Sequence, residues 1–478
     1  MDDIVYSIFG IRDVEVISID DCIDEQSSRP YKLVRLRYNG ESPDVCPECG
    51  GKMYKHGKRV ITVIDTPMSG YPTILEIEKP RKRCKTCSHM WQAEIENIDE
   101  ARQMTKRARL DITQRSLRNT FEDVCNDYVL SPNSIKNVFV DYMNEFKTNL
   151  RFKTPAFLGI DEIKIKKIGE VTVITDLEHH TLFDMLLGRN QAQLIEYFSS
   201  LPDTDSVLWV CSDMYRPFQR AIGTTMPNAQ WAIDHFHVVM KANEAVDDVR
   251  RKLQQDMPQS ERIKTKRGFA YTLKTRERDL TSAEAEKISL ARGNERTRPF
   301  AIAYDLKEDF FNIYDERPNS KEEAQQAFEE WENSIPEDEL YDKFRELAGT
   351  VHNFYEQIFA YWDCPIAISN GFTETTNRLI RENNVRGRGY SFDVLRARTL
   401  YRKANLKLII ENGLITYGPL IPESEAPFHF DANIQNEYDE DNEEDEEDYD
   451  PFLDDDIGIE DEDSPDEVLS IFSNAETF

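Results

Sequence analysis

Between residues 156 and 250 the hydrophobic period switches repeatedly, and that succession leaves few folds open to the chain. Strand-like apolar runs are expected at about 157–164, 169–177, 181–188, 207–212 and 229–233. Helical spacing fits near 191–200, 216–223 and 236–254. The connections around 177–181 are tight enough for hairpins. Three strands in succession are thus followed by helix, strand, helix, strand and helix.

Three acids fall at the ends of core elements. Asp161 closes Phe157-Leu-Gly-Ile-Asp161, Asp213 closes Val207-Leu-Trp-Val-Cys-Ser-Asp213, and Glu374 sits in Ser369-Asn-Gly-Phe-Thr-Glu-Thr-Thr-Asn377. A lone Asp at a strand end is ordinarily a turn or helix cap. The weight here comes from the order of elements, which is that of a ribonuclease-H-like mixed sheet with a helical insertion before its last catalytic helix. Hard divalent ions take carboxylate oxygens and keep waters for substrate oxygens to replace. Two Mg²⁺ ions about 3.5–4 Å apart activate a nucleophile and stabilise a leaving oxygen in phosphodiester transfer. On this reading Asp161 bridges two Mg²⁺ (or Mn²⁺) ions, and Asp213 and Glu374 each hold one. The segment Asp234-His-Phe-His237 leaves metal binding, DNA contact and a structural hydrogen bond open, with Asp213 the better second acid. Glu162 and Asp176 are lesser alternatives.

Upstream, residues 13–40 alternate as two strands joined by a polar turn. Cys46-Pro-Glu-Cys49 and Cys84-Lys-Thr-Cys87 can each place two thiolates on one knuckle, and four thiolates satisfy a tetrahedral Zn²⁺. The 34-residue gap between the pairs is long enough for a hairpin. His56 and His89 are read as bystanders. The run Lys79-Pro-Arg-Lys-Arg-Cys-Lys85 is either a phosphate contact through Lys79, Arg81, Lys82 and Arg83 or a solvated edge.

Residues 105–147 read as helical, and 120–139 has a helix-turn-helix pattern. Phe121, Val124 and Cys125 face inward on the first helix, and Ser131 caps the second with Pro132 at its first position. Ile135, Val138 and Phe139 form its inner face. Asn133, Ser134, Lys136 and Asn137 point out toward a major groove, with Arg107 and Arg109 among the cations upstream. Residues 251–365 are helical, anchored by Trp331, Phe344, Phe354, Tyr355 and Trp362. Glu374, Asn377, Arg378 and Arg381 then recur on one helical face, an acid and an amide beside two cations. Arg386, Arg388, Arg396 and Arg398 follow.

The formal charge of −31 argues against nucleic acid only until its distribution is seen. Residues 423–478 hold 24 acids and no Lys or Arg, and removing their −24 from −31 leaves −7 for residues 1–422. The composition of that tail argues for disorder, and its acids could fold back on a basic surface and compete with DNA. No apolar run is long enough for a membrane span, and no signal peptide is expected.

Jointly and in this order, the paired Cys motifs, the 120–139 pattern and Gly159-Ile-Asp-Glu162 resemble a known family. Further matches are Ser212-Asp-Met-Tyr-Arg-Pro-Phe218, Pro227-Asn-Ala-Gln-Trp-Ala-Ile-Asp-His-Phe-His-Val-Val239, Ser369–Asn377 and Arg386-Gly-Arg-Gly-Tyr-Ser-Phe-Asp-Val-Leu-Arg-Ala-Arg398. The family is that of bacterial insertion-sequence transposases of the ISL3 type, relatives of Mutator-like DDE transposases. The resemblance puts Asp161, Asp213 and Glu374 on the DDE positions, and Asp234 and His237 on a signature Asp/Cys-x-x-His motif. It implies recognition of terminal inverted repeats in double-stranded DNA, Mg²⁺-dependent cleavage and joining, and a homodimer or higher oligomer on DNA. A cytoplasmic, nucleoid-associated bacterial protein follows from it. The acidic tail departs from the family pattern. A non-catalytic DNA-binding regulator on the same scaffold is the alternative, and it predicts loss of a triad acid, which is not seen. The expected units are a β/zinc-ribbon domain (1–97), a helix-turn-helix domain (98–152), the first part of a catalytic core (153–250), a helical insertion (251–365), a final catalytic helix with a basic segment (366–415) and the tail (423–478).

Overall fold

The computed structural model describes residues 2–24, 28–255, 257–259, 262, 267–315 and 320–417. The acidic tail lies outside them.

Near the N-terminus, seven strands form one sheet. Val14–Ile23 and Pro30–Tyr38 pair antiparallel, as their alternation predicts. Pro30–Tyr38 runs parallel to Tyr71–Cys84, which forms a long hairpin with Met53–Met68. That hairpin fills the gap between the Cys pairs and carries them at its open end. Val34, Leu75 and Ile77 are fully buried and centre a core that includes Phe9 and Ile11.

Three helices follow. Lys106–Ser116 is capped by Thr105, and Phe121–Cys125 by a reciprocal Thr120–Asp123 capping box. Pro132–Asn149 starts at Ser131, whose Oγ accepts from the Ser134 amide at 3.1 Å. Val124, Cys125, Ile135 and Val138 are buried together with Ala108, Ile112 and Tyr128. Phe121 is only half-buried, because its ring lies between Phe139 and Tyr390 rather than inside this small core.

The central sheet has five strands in the order Thr181–Leu187, Gly169–Asp176, Phe157–Ile165, Trp209–Ser212, Gln230–Ile233. The first three meander antiparallel, and the last two run parallel to Phe157–Ile165. Gln191–Ser199 and Arg216–Thr225 are the intervening helices, and His235–Gln255 follows the last strand. Ile160 pairs with Ser212, and Ser212 with Ile233. The next residue in each case is an acid. Asp213 and Asp234 come immediately after their strands, whereas Asp161 lies in the middle of Phe157–Ile165, paired with Val173, and the register puts the three in one row across three adjacent strands.

One face of the sheet is buried with the helical insertion. There Phe300, Tyr304, Phe310, Phe328 and Phe344 join Leu158, Ile160, Val210 and Ile233 in a single apolar core. Trp331 and Phe354 are buried as expected, and Tyr355 and Trp362 pack at its margin. The other face packs Ile163, Val171, Val173 and Met185 against Phe139, Met143 and Phe146 of the long N-terminal helix and against Val394, Leu395 and Leu406. Ile415–Tyr417 pairs antiparallel with Leu150–Phe152. Among the described residues no helix is long and apolar enough to cross a membrane.

Candidate active site and zinc knuckle

The four cysteines converge as their spacing predicts. Sulfur separations are 3.7 Å for Cys46–Cys87 and 3.5 Å for Cys49–Cys84. Four Zn–S bonds of about 2.3 Å in a tetrahedron set sulfurs about 3.8 Å apart, so the cluster fits zinc. The amide groups of Cys87 and Thr86 turn toward the Cys84 sulfur and lower its thiol to about 6, which favours the thiolate a metal needs.

At the central sheet, Asp161 is 7% exposed and burial pushes its carboxyl up to about 6 against the pull of His237. Burial also raises Asp213, whose Oδ1 accepts from the Tyr215 amide at 3.1 Å in the turn before the next helix. Glu374 enters from the helix Gly371–Arg386. Burial, followed by the nearby charges of Asp234 and Asp161, pushes it up to about 8. Burial leads all three shifts, so these carboxyls lie where water does not stabilise their charge.

Gly159 lets that helix approach the sheet. A Cβ there would lie 2.5 Å from Thr175 Oγ1 and 2.7 Å from Thr373 Oγ1, two hydroxyls themselves in contact at 2.7 Å. Two asparagines lock the approach. Asn377 Nδ2 donates to Asp161 Oδ2 at 2.7 Å, and Asn370 Nδ2 donates to the Ile160 carbonyl at 3.1 Å. Asn370 holds the N-cap position of its helix, yet its side chain makes no capping bond there and clamps helix to strand instead. The helical spacing points to Asn377; it does not point to Asn370, because Ser-Asn-Gly before a helix reads as an ordinary cap.

Asp234 is completely buried, and the Asn370 amide donates to its Oδ1 at 3.2 Å. Its Oδ2, His237 Nε2 and Asn377 Oδ1 are buried without a hydrogen-bond partner. Ligand atoms of Asp234, His237 and Glu374 all lie within 4.8 Å of one another. His237 Nε2 is also 3.9 Å from Asp161 Oδ1. Asp234 therefore belongs to the centre rather than beside it, and Asp161 and Asp213 both lie outside this tight group of three.

Glu162 and Asp176 are engaged elsewhere. Glu162 pairs with Arg189, and Asp176 accepts from the amides of Glu178 and His179 and contacts the His179 ring.

Four of the cations expected to meet phosphate have structural partners. Lys79 is wholly buried and bound to Glu100 at 2.6 Å, and Lys82 is buried against Asp44 and two carbonyls. Arg107 is bidentate on Asp65, and Arg109 pairs with Glu145 and Asp99. A buried cation must be paired, which a count of basic residues does not show. Arg81 and Arg83 are half-buried. Asn133, Asn137, Arg378 and Arg381 are exposed, with Ser134 and Lys136 half-exposed between them. Arg396 is spent on Asp184, and buried Arg398 donates to the carbonyls of Ser116 and Asn119. It thereby ties the segment after Glu374 to the N-terminal helices.

Residues 158–399 match the ISL3-type DDE transposase family, and residues 42–87 match the zinc finger of the transposases of IS204, IS1001, IS1096 and IS1165. The chain belongs to the ISL3 transposases. It is 22% identical over 359 residues to the transposase for insertion sequence element IS1001 of Bordetella parapertussis, covering 72% of this chain and 85% of that one. It is 27% identical over 257 residues to the IS1557 transposase of Mycobacterium tuberculosis, covering 48% of this chain and 56% of that one. This transposase is thus a DDE-type enzyme with a zinc ribbon.

Proposed function

We propose that this transposase binds the terminal inverted repeats of an insertion sequence and carries out Mg²⁺-dependent strand cleavage and strand transfer. The observation that carries the proposal is the row of desolvated acids Asp161, Asp213 and Asp234 across three adjacent parallel strands, faced by Glu374. The order of three antiparallel strands followed by two parallel ones supports a ribonuclease-H-like core. Asp161, Asp213 and Glu374 are the proposed catalytic residues and would hold the divalent ions. The unpartnered buried oxygens beside them fit a resident divalent ion. When bound, the ions supply Lewis acidity to the attacking and leaving oxygens. The protein supplies position: Asn377 orients Asp161, and Asn370 fixes the helix bearing Glu374.

The helices at 106–149 support a helix-turn-helix reading, in which Asn133, Ser134, Lys136 and Asn137 face the major groove. Arg81, Arg83 and Arg381 are candidate phosphate contacts, as is Arg378, whose guanidinium lies 3.8 Å from Glu382 on the same helix. A homodimer or higher oligomer on the DNA, a nucleoid-associated location and autoinhibition by the acidic tail complete the proposal.

The test is Mg²⁺-dependent cleavage of DNA carrying the flanking repeats. Asp213→Ala should lose cleavage by ~10²–10³-fold, the scale of losing one transition-state charge stabiliser, with DNA binding retained. Cleavage that survives in Asp213→Ala would overturn its assignment.

A further inference from the structure

We infer that Asp234, His237 and Glu374 together bind one divalent transition-metal ion, with Mn²⁺ held in preference to Mg²⁺. This rests on the reading of the centre as metal-dependent, and it adds two ligands that the three-acid scheme leaves out. The three side chains come from a strand end, the first turn of His235–Gln255 and the last catalytic helix, yet their ligand atoms lie within 4.8 Å of one another. Asp234 is completely buried. One of its oxygens is occupied by the Asn370 amide at 3.2 Å, which fixes the carboxylate plane and leaves Oδ2 turned inward without a partner. His237 Nε2 is likewise buried and unpartnered, 4.0 Å from that oxygen. A buried carboxylate oxygen and a buried ring nitrogen, each lacking a hydrogen bond and facing the other, are costly unless something bridges them.

The donor set indicates what bridges them. Mg²⁺ keeps to oxygen ligands and near-ideal octahedral geometry. An imidazole nitrogen suits the first-row transition ions, and carboxylate oxygens alongside it suit Mn²⁺ among them. Three protein ligands leave positions open for water or a phosphate oxygen, unlike the closed four-thiolate knuckle. Asp161, whose Oδ1 is 3.9 Å from His237 Nε2, borders the site and can share the ion.

The experiment uses the full chain with its zinc knuckle loaded, so that thiolates do not compete, and no DNA. Mn²⁺ is titrated by electron paramagnetic resonance, and electron spin-echo modulation reports any directly bound ¹⁴N. The wild type should bind Mn²⁺ with a single-nitrogen signature and be displaced poorly by Mg²⁺. His237→Gln should lose that signature, and both His237→Gln and Asp234→Asn should bind Mn²⁺ ~10–100-fold more weakly. The wild-type nitrogen signature is decisive by itself, even where a variant folds poorly. Mn²⁺ binding without the nitrogen signature, unchanged in both variants but lost in Asp161→Asn, would overturn the inference and leave the three-acid site standing. Wild-type protein that binds no Mn²⁺ would overturn both.

Discussion

Two regions of this transposase bury charge, and they do it in opposite ways. In the helical insertion Lys307 is completely buried, but its ammonium meets Glu308 at 2.7 Å and the Thr275 carbonyl at 2.7 Å, and lies 4.3 Å from the Tyr304 ring centre. Glu308 in turn accepts from Arg276 and from the Glu277 amide. At the centre of the sheet Asn377 donates to Asp161 and the Asn370 amide to Asp234, while Asp234 Oδ2, His235 Nδ1, His237 Nε2 and Asn377 Oδ1 stay without a hydrogen-bond partner. The first region closes its electrostatics internally. The second leaves them open, which is what a site for an incoming cation requires. A sequence shows charged residues in both places alike; what separates them is whether the protein supplies the counter-charge.

Removing charge should therefore have opposite signs in the two regions. Glu308→Gln strands Lys307 and Arg276 and should destabilise the protein by about 3 kcal/mol, whereas Asp161→Asn should raise the melting temperature of the metal-free protein. Thermal unfolding of both variants without added divalent ion checks this, and a decrease in both would end the contrast. The pH dependence sharpens it. Burial lowers Lys307 from the ordinary 10.5 to about 8. Between those values the unfolded chain binds more protons than the folded one, so this group makes stability rise with pH. Urea titrations should show the rise starting at lower pH in Glu308→Gln.

The next effect is geometric. Gly159→Ala forces a methyl against two threonine hydroxyls and should push the Glu374 helix off the sheet. A shift of about 1 Å at a catalytic group costs ~10²-fold in rate, so cleavage should fall that far while zinc content is unchanged. The smallest effect is at the surface, where the same distinction between committed and available charge recurs. Replacing Arg81 and Arg83 by Gln should reduce the salt slope of DNA binding by about 1 for each phosphate that the two arginines neutralise. Lys79→Met, which breaks a buried pair, should lower stability and leave that slope alone.

Much of this was legible in the residues. The strands at 157–165, 169–176 and 181–187 have the extents that their period predicts, and the cysteine spacing specified its cluster. Asp234 was legible as a motif but not as a member of the centre. Its place depends on register across three strands, Ile160 to Ser212 to Ile233, and no local pattern encodes how strands from separate stretches of the chain align. The spent cations were hidden for a related reason. Lys79 finds Glu100 only once a long hairpin has folded beside it.

The pairing of Ile415–Tyr417 with Leu150–Phe152 has a consequence for regulation. It anchors the chain beside the junction between the N-terminal helices and the catalytic core, and residues 418–478 leave from that anchor. Whatever conformation they adopt, their acids are present at a fixed local concentration set by the attachment point rather than by how much protein is in solution. The proposed competition with DNA would then act on its own molecule first. If the tail competes with DNA as proposed, dilution would not relieve that competition, whereas salt, a partner or cleavage of the chain after residue 417 would.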